Sequence, residues 1–200
     1  YKPAPEKVSD MLDHSQLTFD EILRGIWESL REGADRGAHP FHTPVLASAH
    51  GQSPDVRTVV LQQADETRRE LICHTDIRSP KVSGFRKNPR VAWLFYDRQA
   101  KVQLRLHGKV SIHHADELAT ARWEKSSPSS RRCYHAPHAP GTGLAGDGDR
   151  AVELEEGFDN FAVISSGVFA IDWLFLQAGG HLRARFEWDG GHWMGDWIAP

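Results

Sequence analysis

The chain has 200 residues, 40% of them hydrophobic and 26% charged, with a formal net charge of −3. That is an ordinary globular composition, long enough to bury a substantial core. The charge argues against a nucleic-acid partner, no apolar run is long enough to span a bilayer, and Cys73 and Cys133 alone make no disulfide framework. A reducing, cytoplasmic setting is the expectation. Cys73 lies in an apolar run and reads as a small buried hydrophobe.

The chain reads as one domain over residues 1–200, with residues 1–14, which include Pro3 and Pro5, as a loose arm. The first helix is predicted in "TFDEILRGIWESLREG". Thr18 and Glu21 have capping-box spacing, and Ile22, Leu23, Ile26, Trp27 and Leu30 form one face, with Trp27 expected in the core. Gly33 is the expected stop. Three short strands follow in "TPVLASAH", "VRTVVLQQ" and "RELICHT", arranged as a meander. "SPKVSGFRKN" is predicted as a short helix with Ser79 as N-cap and Pro80 in its first turn. Strands are predicted in "RVAWLFYD" and "KVQLRLHGKVSIHH", the latter bent or bulged at Gly108. "ADELATARWEKS" reads as a second amphipathic helix and residues 127–150 as a long loop. Strands return in "FAVISSGVFAIDWLFL", "LRARFEWD" and "HWMGDWIAP", whose tryptophans Trp188, Trp193 and Trp197 read as packing residues. Roughly eight strands with two or three helices predict a mainly β protein, a closed barrel with helices attached.

"HTDIRSPK", His74 to Lys81, stands at a strand-to-helix corner. A helix N-terminus leaves backbone N–H groups unsatisfied and carries partial positive charge. Thr75 and Ser79 add hydroxyl donors there, and Arg78 and Lys81 add charge, so the corner suits a phosphate. "RTVVLQ" supplies Arg57 on a nearby strand, and "VQLRLHG" and "HLRARF" follow in order.

From Arg57 to Pro200 these segments, in this order, resemble the pyridoxamine 5′-phosphate oxidase-like family of FMN-binding split β barrels. Residues 1–50 contribute little to the likeness. The resemblance implies FMN as cofactor. It implies that Arg57, Thr58, Val59, Val60 and Gln62 form the strand that meets the FMN phosphate and faces the ring. It also implies FMN contacts for His74, Thr75, Arg78, Ser79, Lys81, Gln103 and Arg185. Gln62 stands where the oxidases have Lys. Pro80 stands where they have a phosphate Arg, and Arg78 is the expected replacement. His181 and Arg183 are the expected substrate contacts. Trp123, Ser127 and Arg131 stand where the oxidases clamp the substrate phosphate, and Leu176 where they place a Trp near the flavin, so that clamp is not reproduced.

The resemblance further implies a homodimer with flavin sites at the interface, acting on a small-molecule substrate. The apolar run "VAWLFY" suits a strand covered on both faces. The 127–150 loop is the expected lid over the partner's flavin. Two functions stay open: an FMN-dependent oxidoreductase with unassigned substrate, or a protein that binds FMN or haem without turnover. Cys133, His135 and His138 form part of a zinc-like set, but no second ligand pair has the usual spacing, so no metal site is expected. His113 and His114 are neighbours on a strand and point to opposite faces.

Overall fold

Thr18 and Glu21 begin the first helix as their spacing requires. The computed structural model describes residues 17–50, 53–144 and 157–200, and in it α1 spans Phe19–Asp35. The Thr18 N–H donates to Glu21 Oε2 at 2.8 Å, and the Glu21 N–H donates to Thr18 Oγ1 at 3.3 Å. The predicted apolar face is buried, and Trp27 is fully so. Gly33 does not stop the helix, which runs on to Asp35. A Cβ at Gly33 would stand 2.7 Å from Phe41 Cβ, so the glycine lets the turn Pro40–His42 approach. Gly33→Ala is therefore expected to destabilise the fold by roughly 1–3 kcal/mol through overpacking, against the smaller gain in helix propensity. Urea unfolding measures this; an unchanged midpoint would mean that the turn simply yields.

Among the described residues nine antiparallel strands follow: β1 Val45–His50, β2 Ser53–Thr58, β3 Leu61–Asp65, β4 Glu70–Asp76, β5 Arg90–Asp97, β6 Val102–His113, β7 Phe161–Phe175, β8 Leu182–Trp188 and β9 Trp193–Trp197. Three further helices are α2 Pro80–Lys87, α3 Glu117–Lys125 and α4 Pro128–Arg131. The sheet order is β2-β1-β5-β6-β7-β4-β3, with β8 and β9 branching from β7. β7 makes the branch because it is long: its residues 161–167 pair with β4 and its residues 170–175 pair with β8. Arg69 bridges the fork, donating to the Val168 carbonyl at 3.1 Å with its guanidinium 4.0 Å from the Trp188 ring centre.

The sequence reading of "VRTVVLQQ" as one strand in a meander is corrected here. Val59 and Val60 separate β2 from β3, and the two strands lie at opposite edges of the sheet. Consecutive edge strands two residues apart force the sheet to curl until its edges meet. One unbroken strand could not serve both edges.

Inner-facing side chains fill this curl, with Leu46, Trp93, Leu104, Leu106, Ile171 and Phe186 all fully buried. Gly108 stands at a register shift in β6, and a Cβ there would lie 3.0 Å from the Gly167 carbonyl oxygen. Trp188 meets Trp193 edge-on, and Trp197 packs near Trp173 and Phe19. Among the described residues no helix is long and apolar enough to cross a membrane.

The predicted 127–150 loop opens with α4 and a 3-10 turn, Arg132–Tyr134. Its described part folds back on its own chain, where Asn160 Nδ2 donates to the Tyr134 carbonyl at 2.8 Å. The rest of the expected lid and the expected N-terminal arm lie outside the described residues.

An anion-binding corner at the barrel seam

At the end of β4 alternation decides which side chains can meet. Cys73 and Thr75 point inward, and His74 between them points to the other face. Asp76 ends the strand, and the chain turns through Ser79 into α2, with Pro80 in the first turn. Ser79 occupies the N-cap position, but its hydroxyl makes no cap bond. Lys81 explains why. Its Nζ donates to Ser79 Oγ at 2.8 Å and to Thr75 Oγ1 at 2.9 Å. Among the described residues no carboxylate forms a salt bridge with Lys81.

Arg57 reaches the same corner from the edge strand β2. Its cross-strand neighbour is the buried Leu46, so Arg57 faces inward. Its Nη1 donates to Ser48 Oγ at 2.8 Å and to the Leu46 carbonyl at 3.2 Å, and its Nη2 pairs with the Asp55 carboxylate. Burial, and then the nearby Arg57 charge, hold the Lys81 ammonium below its usual value. Cys73 lies beneath the corner. Burial pushes its thiol up to about 12, against the pull of Lys81 and Arg57, so it is a packing residue and not a nucleophile.

The corner is thus two cations, two hydroxyls and a helix start, gathered where the edges of the sheet approach. Two half-buried like charges placed together cost free energy unless an anion joins them. This donor set matches a phosphate, for which charge-assisted bonds are the strong ones.

Other predicted residues go elsewhere. Arg78 is turned from the corner: it forks onto Asp76, with Nη2 to Oδ2 at 2.7 Å and Nε to Oδ1 at 3.0 Å, and it donates to the carbonyls of Ala136 and Pro137. It is a strap for the loop after α4, and its guanidinium bonds Asp76 and the loop carbonyls and not the hydroxyls of the corner. Arg78→Ala is expected to leave FMN affinity within about twofold, because its bonds go to Asp76 and to loop carbonyls and not to the hydroxyls that hold Lys81, while loosening residues 132–144. Hydrogen exchange in that segment, beside an FMN titration, checks both halves.

The His74 ring packs edge-on to Phe161 beneath α3, with centroids 4.8 Å apart. Its Nε2 is buried and has no partner among the described residues. Val59 and Val60 join β2 to β3, Gln62 is exposed at a register shift of β3, and Thr58 is exposed at the end of β2.

Gln103, Arg183 and Arg185 occupy the outward face of the sheet. Gln103 lies opposite the exposed Tyr96 on one side and Leu174 on the other, and Leu174 lies opposite Arg183. Arg183 is held by Asp172, with Nη2 to Oδ2 at 2.8 Å, and Arg105 shares that oxygen at 2.5 Å. Burial pushes the Asp172 carboxyl up, but hydrogen bonds from Arg183 and Arg105 outweigh it and hold the group below its usual value. Arg185 pairs with Glu187. His181 is exposed, and its Nδ1 accepts from the Gln177 N–H at 3.2 Å, a turn contact. Arg131 donates to the Trp123 and Glu124 carbonyls and closes the end of α3. Among the described residues no group of three or more His, Cys, Asp or Glu is placed to hold a metal.

The partners Ser48, Asp55, Asp76 and Asp172 went unnoticed in the sequence. Asp55 was recoverable, since an Asp two residues from an Arg on one strand shares its face.

This sheet is found in known proteins. Residues 24–114 match the family model of the pyridoxamine 5′-phosphate oxidase FMN-binding domain. The match takes in part of α1 and all of β1, which the sequence motifs had left aside, and ends before the C-terminal strands. Among solved structures, a pyridoxamine 5′-phosphate oxidase-related, FMN-binding protein from Nostoc punctiforme superposes with a TM-score of 0.74 at 20% identity, covering 88% of this chain and 96% of that one. PhzG from Burkholderia lata, in complex with tetrahydrophenazine-1-carboxylic acid, gives 0.68 at 18% identity, covering 90% and 91%. A protein related to general stress protein 26, from Clostridium acetobutylicum, gives 0.56 at 11%, covering 83% and 95%. No curated protein matches the sequence significantly. The chain has the split β-barrel fold of these pyridoxamine 5′-phosphate oxidase-like structures, and residues 24–114 match that family's FMN-binding domain.

Proposed function

We propose that the chain binds FMN with its phosphate in the Arg57–Lys81 corner and works as an FMN-dependent oxidoreductase on a small molecule. The observation that carries this is Lys81: a half-buried ammonium that, among the described residues, bonds only to the hydroxyls of Thr75 and Ser79, beside a second cation. FMN fits this donor set, since its phosphate supplies the missing anion. Arg57, Lys81, Thr75 and Ser79 would hold that phosphate. Bound FMN supplies two-electron transfer, and the protein orients it and keeps the ring's surroundings fixed.

Gln103, Arg183 and Arg185 lie on the outward face of the sheet, while Arg57 and Thr75 lie on the inward one. One flavin touches both sets only if a second copy brings its outward face to the corner. The homodimer reading rests on this, and on the exposed apolar side chains Leu94 and Tyr96 beside Gln103. A cytoplasmic setting accords with two free cysteines, one of them exposed.

The rival is a protein that holds FMN or haem without turnover. It is favoured by one observation: Arg131, at the place of the oxidases' substrate clamp, is occupied by backbone carbonyls. An absorbance spectrum and FMN titration by flavin fluorescence come first. Reduction by candidate donors, including NAD(P)H, and reoxidation in air then separate the two. A flavin that binds but never cycles with any donor supports the rival, and a protein that ignores FMN ends both flavin readings.

A further inference from the structure

We propose that Asp55 is a built-in competitor for Arg57 that weakens phosphate binding at the corner and blunts its preference for dianions. This rests on the FMN-phosphate reading above. In the β1–β2 hairpin Ser48 lies opposite Asp55 and Leu46 opposite Arg57, so all four side chains share the inward face. Arg57 is held from two sides. The Leu46 carbonyl and Ser48 hydroxyl, both neutral and both on β1, take Nη1. The Asp55 carboxylate takes Nη2.

The two neutral acceptors fix where the guanidinium lies. Asp55 adds little to that placement: it stands on the same edge strand as Arg57, and its side chain is 45% exposed. What it adds is charge, and that charge reaches Lys81 as well, favouring its ammonium form. Of the other side chains at the corner, Thr75 and Ser79 are hydroxyls and Lys81 is a cation; the Asp76 carboxylate also acts on Lys81, more strongly than Asp55, but it is paired with Arg78 and not with Arg57. A phosphate arriving there meets one carboxylate already on Arg57 and repels it. A dianion is repelled about twice as strongly as a monoanion, because the Coulomb energy scales with the product of charges. A carboxylate in this position therefore lowers affinity and narrows the margin between a phosphate dianion and any singly charged competitor.

The test is Asp55→Asn, which keeps size and a hydrogen-bond acceptor and removes the charge. FMN, inorganic phosphate and riboflavin are titrated into wild type and variant at low salt and at 1 M salt. The variant is expected to bind FMN about fivefold tighter at low salt, with the gain largely screened at 1 M. Riboflavin, which lacks the phosphate, is expected to bind both proteins alike. Asp55→Glu, which keeps the charge, is expected to bind FMN as wild type does. If wild type binds FMN and Asp55→Asn binds it equally or more weakly, Asp55 is no competitor, and the FMN reading stands. An equal gain for riboflavin places the effect away from the phosphate and overturns the proposal too. If neither protein binds FMN or phosphate, the corner is no phosphate site and both inferences fall.

Discussion

An Arg57→Ala, Lys81→Ala double variant is expected to bind FMN about a hundred- to a thousandfold more weakly than wild type while keeping its fold. A hydrogen bond to a charged partner is worth about 1.5–3 kcal/mol, and this pair removes at least two of them. Losses at neighbouring sites do not add cleanly, so the lower end of that range is the firmer expectation. The fold survives because neither cation is part of the apolar core. Arg57 lies on an edge strand, and Lys81 is held below its ordinary ammonium value by burial and by Arg57. Removing both relieves that conflict in the free protein. Fluorescence titration reads the affinity, and far-UV circular dichroism with thermal unfolding reads the fold. Unchanged affinity in a folded double variant would move the phosphate out of this corner. The salt dependence of binding should also weaken in the variant, since fewer charges meet the anion.

His74→Phe is expected to flatten the acid side of the stability curve. Burial, aided by the Arg122 charge, pulls the His74 pKa down from 6.5 to about 4. The folded state therefore keeps the ring neutral while the unfolded state takes up a proton. Between pH 6.5 and about 4 the unfolded chain binds more protons, so stability falls as pH falls across that window. The total is roughly 3 kcal/mol, at 1.36 kcal/mol per pKa unit. Below about pH 4 the folded form protonates too, and this contribution stops growing. Asp172 acts in a different window. Its carboxyl is held below the ordinary carboxylate value, so its contribution is present above that value and is lost as pH falls through the lowered one. His74→Phe keeps an aromatic ring against Phe161 and removes a buried Nε2 that has no partner among the described residues. It should cost little at pH 7, where an unpaired polar atom is itself a penalty. Urea unfolding at pH 7, 6, 5 and 4 checks this. A slope equal to that of wild type would mean that His74 is solvated more freely than its surroundings allow.

The same residue shows how backbone role and side-chain role separate. In sequence, His74 and Thr75 read as one pair at the phosphate turn. In the fold they face opposite sides of β4, so only Thr75 offers its side chain to the corner. Adjacent strand residues must diverge in this way.

The sequence by itself determined the elements and the chemistry of the corner. The Thr18–Glu21 capping box set the start of α1, because that contact is local. Thr75, Ser79 and Lys81 fall within seven residues, and a strand, a turn and a helix start bring such residues together whatever the rest of the chain does. Only the tertiary structure decided the long-range choices. It split "VRTVVLQQ" at Val59–Val60, since the two halves pair at opposite edges of the sheet. It gave Gly33 to Phe41 and not to a helix stop. It sent Arg78 to Asp76 and the loop carbonyls, Arg183 to Asp172, and Arg57 to Ser48 and Asp55. An arginine has a long reach and several donors, and residue type alone does not choose its acceptor. Strand register and sheet order choose it, and they are set by packing between residues far apart in the chain.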